Sequence, residues 1–318
     1  MSTFDVVGID VSKHTLDVCL ILNKKKQQAR FDNQKAGWKK MLTWVRRYTS
    51  EPWFCMEATG SYSEGVAEFL LAEQQSVSVV NPLQIKSYAK SILSRNKTDP
   101  QDAYIIARYA KAADLRIFIA RTPEQKALRE HTQLLDQLTA QKIQLKSQAQ
   151  HFADPDARRF VAKQIKQLEI SMERLKSKLN ALVEEDARCK QAMQLLLSIK
   201  GVGAATAYSI LAYLPDISNF KCAKQLAAFI GVSPTQKQSG QFVGRTRLSK
   251  FGNPRLRKAL YMPALVMKQY NEHLKPFIKR LERKGLKPKA IVGAIMRKLA
   301  HIIFGVLKHQ QPFNPNLC

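Results

Sequence analysis

The sequence predicts an α/β domain followed by mainly α-helical regions, and three observations lead there. Short β-branched runs alternate with helical patterns over residues 1–121. Residues 122–190 carry a leucine-rich seven-residue repeat, and Pro123 to Asp186 contain no glycine at all. Residues 191–318 return to compact helical patterns with small residues at the turns, in a strongly basic background.

The elements follow in order. Phe4 to Asp10 (FDVVGID) is a short apolar strand ending on an acid. Ser12-Lys13-His14 turns the chain into a second strand, Thr15 to Leu22. A third, Gln28 to Asp32, completes an antiparallel meander. Trp38, Met41, Leu42 and Val45 then fall on one helical face. A strand at Trp53 to Met56, a helix at Glu64 to Glu73, a strand at Val77 to Val80 and further helical turns complete a β-β-β-α-β-α-β-α order, which implies a mixed sheet flanked by helices.

In the middle region Leu128, Leu135, Leu138, Leu145, Ala149 and Phe152 recur at helical steps. After Asp154-Pro155-Asp156, the residues Ile165, Leu168, Met172, Leu175, Leu179 and Leu182 step by 3, 4, 3, 4, 3. Two long coiled-coil helices joined near Pro155 can form an antiparallel hairpin or pair with another copy of the chain; the spacing leaves both open. From Leu195 to Leu214 the pattern reads helix, Gly-Val-Gly turn, helix, a helix-hairpin-helix-like segment. There Lys200, Gly201 and Gly203 can bring free backbone N–H groups to a phosphate. A turn that uses glycine for steric reasons alone has the same sequence.

Charge narrows the function. The 318 residues hold 52 Lys and Arg against 25 Asp and Glu, a net charge of +27, and 45% are apolar. A length near twice the roughly 150 residues of one domain, with that apolar share, excludes wholesale disorder. From Gly231 onward, 18 Lys and Arg face two acids, Glu272 and Glu282. So cationic a chain favours a polyanion, with nucleic acid as the leading partner. Arg297, Lys298 and His301 interrupt the most apolar late stretch, which argues against a membrane span. The first ten residues lack the pattern of a secretory signal, so a cytoplasmic, nucleoid-associated location is expected. Five scattered cysteines fit neither a disulfide framework nor a zinc cluster.

Four carboxylates carry the candidate chemistry: Asp10 at a strand end, Glu57 after another strand, and Asp99 and Asp102 three residues apart on one helical face. Each alone reads equally as a turn or capping residue. Together, at the edge of such a sheet, they suit Mg²⁺ or Mn²⁺, hard ions that take oxygen ligands. Two such ions about 4 Å apart hold the attacking and leaving oxygens of a phosphoryl transfer.

GIDVSK at Gly8 to Lys13, MEATGSY at Met56 to Tyr62, VVNP at Val79 to Pro82 and NKTDPQDA at Asn96 to Ala103 resemble the DEDD transposases of the insertion-sequence-110 type. The likeness continues through SIKGVGAATA at Ser198 to Ala207, AAFIGVSP at Ala227 to Pro234 and RLSKFGNPRLRKALYMPA at Arg247 to Ala264. These transposases are related to the pilin-gene invertases and include RNA-guided recombinases. The resemblance implies a RuvC-like, RNase H-type domain at 1–121 with Asp10, Glu57, Asp99 and Asp102 as the metal-binding set. It also implies an oligomerisation hairpin at 122–190 and a transposase domain at 191–318 whose catalytic serine is Ser239 of Gln238-Ser239-Gly240. Double-stranded donor and target DNA, a noncoding bridge RNA and a homo-oligomer, dimer to tetramer, are the implied partners.

Lys13, Lys97, Arg245, Arg247, Lys250, Arg255, Arg257 and Lys258 are the expected contacts to nucleic acid, although such a run also reads as a solvated face. Ser249 and Ser233 compete with Ser239 for the role of nucleophile. A metal-dependent junction resolvase using water, or a non-catalytic oligomeric nucleic-acid-binding protein, accounts for the same charge and acids.

Overall fold

The computed structural model describes residues 5–22, 25–93, 98–236, 238–239, 242–244 and 246–315. The chain divides into two compact units, Met1–Ala120 and Arg121–Cys318.

Unit 1 runs β1 (Asp5–Val11), β2 (Thr15–Leu22), β3 (Lys25–Asp32), α1 (Lys35–Arg46), β4 (Pro52–Glu57), α2 (Ser61–Ala72), β5 (Ser76–Val80), α3 (Pro82–Ser91) and α4 (Asp99–Ala112). The sheet order is β3-β2-β1-β4-β5. The first three strands are antiparallel, whereas β4 and β5 run parallel to β1. That order and polarity make the unit RNase H-like. The third strand starts three residues earlier than its apolar residues predict, because an edge strand tolerates Lys25, Lys26 and Gln27 facing solvent.

Strand alternation decides which helix covers which face. Val7, Ile9 and Val11 pack with Met41, Leu42 and Val45 of α1 and Val66 and Leu70 of α2. Val6, Cys19 and Cys55 point the other way, toward Ile85 of α3 and Ala103, Ile106 and Ala107 of α4. On this second face Gly8 admits α4 at backbone contact: a Cβ there would stand 2.3 Å from the Ala103 carbonyl oxygen and 2.4 Å from the Ala107 nitrogen. The absent side chain fixes the depth at which α4 lies.

Unit 2 begins with α5 (Pro123–Ala149) and α6 (Pro155–Glu185). Thr122 and Gln125 form a capping box at the start of α5, and Asp154 caps α6 through the Asp156 and Ala157 N–H groups. The two helices pack against each other as a hairpin, with Lys142 3.5 Å from Glu169. Of the two arrangements that the heptads allow, the structure has the one within the chain. Leu128, Leu135, Met172, Leu175 and Leu179 of the seam are buried, whereas Phe152 at the tip is exposed.

The chain continues as α7 (Ala187–Leu197), α8 (Ala204–Tyr213), α9 (Ala223–Ile230), β6 (Pro234–Thr235), β7 (Gln238–Ser239), β8 (Phe242–Val243), β9 (Arg247–Leu248), α10 (Pro254–Ala259), α11 (Tyr261–Tyr270), α12 (Lys275–Arg283) and α13 (Pro288–His309). The hairpin base and these helices share one core, in which Leu128 and Leu179 join Leu196, Ile199, Ile295 and Leu299. The helix α13 is long and apolar enough to cross a membrane, yet 61% of its apolar window is buried inside unit 2. The four two-residue strands are too short to leave a periodic signal in the sequence.

Candidate nucleic-acid-processing site

The sheet register builds a charged row. Asp10 of β1 pairs with Asp17 of β2, and Asp17 pairs with Arg30 of β3. On the other side, Ile9 pairs with Met56, so Asp10 and Glu57 are the next residues along adjacent parallel strands. Paired residues share a face; Gly8, Asp10, Asp17, Arg30 and Glu57 therefore belong to the face that α4 covers. Asp10 and Glu57 are half-buried.

The start of α4 is tied to the same row. Arg30 Nε donates to Asp17 Oδ1 at 2.9 Å and its Nη2 donates to Asp99 Oδ2 at 3.2 Å. Gln28 Nε2 donates to the Pro100 carbonyl at 2.7 Å. Asp99 is thus tied to the row through Arg30, and Asp102 lies three residues on in the same first turn of the helix. Asp17 is only 5% exposed, and its Arg30 partner is the compensation that a buried carboxylate needs. Both ion pairs raise the Arg30 pKa further, the Asp17 hydrogen bond foremost.

Asp17 and Arg30 were not among the residues expected from sequence. The available signal was an acid in the middle of an otherwise apolar strand, TLDVCLIL. Asp10 and Glu57 share one sheet face and Asp99 and Asp102 start the helix that covers it, but the four do not meet as an assembled ion site: among the described residues no three His, Cys, Asp or Glu side chains stand as a metal-holding group. The physical reason at Asp99 is Arg30, which occupies one of its oxygens. Asp10, Glu57 and Asp102 fit a hard divalent ion by donor type and by shared face.

In unit 2, Ser239 lies in β7, whose backbone pairs with β8 through Ser239 and Phe242. Ser233 and Ser249 are joined through the backbone, the Ser249 N–H donating to the Ser233 carbonyl at 2.8 Å. Lys97, Gly240 and Arg245 lie outside the described residues. Lys13 in unit 1 is exposed, as are Lys200, Arg247, Lys250 and Lys258 in unit 2.

Arg255 and Arg257 are spent internally. Arg255 Nη1 donates to Gln133 Oε1 at 2.8 Å and to the Tyr213 hydroxyl at 2.5 Å, while Arg257 Nη1 donates to the Ile230 and Lys250 carbonyls. The turn before α8 runs through Gly201 and Gly203. Gly201 has φ +96°, a conformation that favours glycine, and a Cβ at Gly203 would meet open space.

Comparison with known proteins gives two family matches in chain order. Residues 7–155 match a transposase family profile of the DEDD, IS110 type, and residues 193–279 match the profile "Transposase IS116/IS110/IS902 family". The pilin gene-inverting protein of Moraxella bovis is 34% identical over 325 residues, covering 98% of each chain. The transposase for insertion sequence element IS1111A of Coxiella burnetii is 26% identical, covering 98% of this chain and 92% of its own. T. thermophilus RuvC, solved in complex with a Holliday junction substrate, is 14% identical over 36% of this chain, with a TM-score of 0.29. With an end-to-end relative at 34% identity and two transposase profiles matched in order, the chain belongs to the IS110/IS116 family of transposases.

Proposed function

We propose that the protein is the recombinase of an insertion sequence, cutting and rejoining double-stranded DNA through a serine nucleophile under the guidance of a noncoding bridge RNA. The observation that carries the catalytic part is the row on the α4 face: Asp10 and Glu57 on adjacent strands, with the first turn of α4 tied to the same sheet by Gln28 and Arg30. Asp10, Glu57, Asp99 and Asp102 would hold Mg²⁺ or Mn²⁺. Bound there, such an ion would supply positive charge beside the reacting phosphate.

The chain's own groups do the rest. The Ser239 oxygen forms a bond to phosphorus, one P–O bond of the DNA breaks, and the departing deoxyribose oxygen takes the proton that the serine gives up. The phosphoserine keeps the energy of the broken bond, so rejoining needs no ATP. Lys13, Lys200, Arg247, Lys250 and Lys258 neutralise backbone phosphates, while Arg257 holds the loop at the Lys250 carbonyl and Arg255 ties α10 to α5 and α8. Gly201 and Gly203 let the N-terminus of α8 approach a phosphate. Pairing with the RNA would carry sequence choice, leaving the protein to read backbone and shape. The exposed tip of the α5–α6 hairpin supports assembly of two to four copies.

The test is recombination on a plasmid carrying the flanks of the element. Asp10→Asn and Glu57→Gln are expected to abolish it while DNA binding persists; unchanged recombination in both defeats the metal-site reading. A covalent protein–DNA adduct that disappears in Ser239→Ala supports the serine. If the adduct persists, the role moves to Ser249 or Ser233; ends hydrolysed with no protein attached support the water-using resolvase instead.

A further inference from the structure

We infer that a cavity between α12, α13 and the segment after α13 binds one unpaired nucleotide of a single strand, the base inside and its phosphate at the rim. The cavity has a volume of about 740 Å³ and lies wholly within unit 2. That is within the range of small-ligand sites and holds a nucleotide with room for water. Its apolar wall includes Phe277, Ile302, Val306 and Phe313, and its charged lining is cationic, with Arg297 and Lys298 half-buried there.

Two features point to an aromatic, hydrogen-bonding anion. Arg280 and Lys298 stand 5.4 and 5.5 Å from the centre of the Phe277 ring, so aromatic surface and positive charge coincide. His301 lines the cavity as a half-buried imidazole. An imidazole in the lining offers donor and acceptor chemistry that a base edge can match. Burial first, then Arg297, Lys224 and Lys298, hold the His301 pKa below its usual range, so at neutral pH the uncharged ring has one donor and one acceptor nitrogen.

Around His301 the cavity is preformed. The Phe313 N–H donates to Ser198 Oγ at 2.8 Å and fixes the wall after α13. Gly305 also lines the cavity, and a Cβ there would meet no atom within 4 Å.

Gly305 supplies a clean perturbation. Gly305→Leu adds a side chain at a cavity-lining position and replaces a mid-helix glycine by a better helix former, and its Cβ meets no atom within 4 Å. The full chain is titrated by fluorescence anisotropy against a labelled 15-nucleotide DNA strand, the RNA strand of the same sequence, and the DNA duplex. Base stacking and burial are worth enough that Gly305→Leu and Phe277→Ala should each weaken single-strand binding about tenfold, with duplex binding changed less than twofold. Loss with DNA only or with RNA only identifies the source of the nucleotide.

Photo-cross-linking with 5-iodouridine strands should label Phe277 or the stretch from Arg297 to Phe313. Unchanged single-strand affinity in Gly305→Leu, equal loss on duplex, or cross-links only elsewhere overturns the inference. The inference rests on the chain's handling of nucleic acid but not on catalysis: wild type failing to bind any of the three probes would count against the recombinase reading, whereas a null result confined to the variants sinks only the cavity.

Discussion

Gly8→Ala tests whether the candidate site depends on the depth at which α4 lies on the sheet. The added Cβ would stand 2.3 Å from the Ala103 oxygen, 2.4 Å from the Ala107 nitrogen and 2.9 Å from the Ala107 Cα. Ordinary contact begins at 3.4 Å, so α4 must retreat by about 1.1 Å; the opposing atoms are helix backbone and cannot rotate aside. Overpacking of this kind costs about 1–3 kcal/mol. With a urea dependence of roughly 2 kcal/mol per molar, the midpoint of unit 1 falls by about 0.5–1.5 M.

All three tryptophans, Trp38, Trp44 and Trp53, lie in unit 1, so intrinsic fluorescence follows that unit alone. The same retreat carries Asp99 and Asp102 away from Asp10 and Glu57, and a 1 Å misplacement of reacting groups costs about 100-fold in rate. Recombination on the plasmid substrate should therefore drop far more than the folded fraction does. A Gly8→Ala protein with an unshifted urea midpoint and wild-type recombination would show that α4 is not positioned by this contact.

Further outcomes follow from named groups. Burial raises the Cys55 thiol to about 12 and the Cys19 thiol to about 11 from an ordinary value of 9, so above pH 9 the unfolded chain gives up protons that the folded chain keeps; stability should fall as pH rises from about 9 to about 12, and Cys55→Ala should flatten the urea midpoint against pH. Peptide mapping after brief iodoacetamide treatment at pH 8 should find exposed Cys222 alkylated and Cys19 and Cys55 intact, and alkylation of Cys55 in the folded protein would contradict its burial. Removing Lys200 or Lys250 should lower the slope of log affinity for duplex DNA against log salt by about one each, whereas Arg255→Ala should act mainly on stability because its guanidinium is held by Gln133 and Tyr213. Arg30→Met leaves Asp17 buried without its partner and should lower the unfolding temperature of unit 1; adding Asp17→Asn should recover part of the loss, and additive effects would deny the pair.

Much of unit 1 was legible because its signals are local. The alternation in VVGIDV and TLDVCLIL gives strands whatever they pack against, and the helical face of Met41, Leu42 and Val45 needs a single covering sheet. The heptads of α5 and α6 were equally plain, but their partner was not: the same seam serves a hairpin or a dimer until the loop at Pro155 is seen to fold back. Basic residues in the carboxy-terminal run looked alike in sequence, and only partners far along the chain separate Arg255 and Arg257, bonded internally, from exposed Lys200 and Lys250.

The row on the α4 face shows the same limit at the site itself. Asp10, Glu57, Asp99 and Asp102 could be named from their motifs, yet the cross-strand pairing that sets Asp17 and Arg30 beside them is a property of register, fixed by three strands at once. Arg30 changes the chemistry of the set: one oxygen of Asp99 is already engaged, so for Asp99 to serve an ion it must give up or share that guanidinium. A one-residue slip of β3 would turn Arg30 to the opposite face and leave both Asp17 and Asp99 without it. The edge strand whose pattern was weakest in sequence therefore governs the charge balance of the acids that were easiest to find.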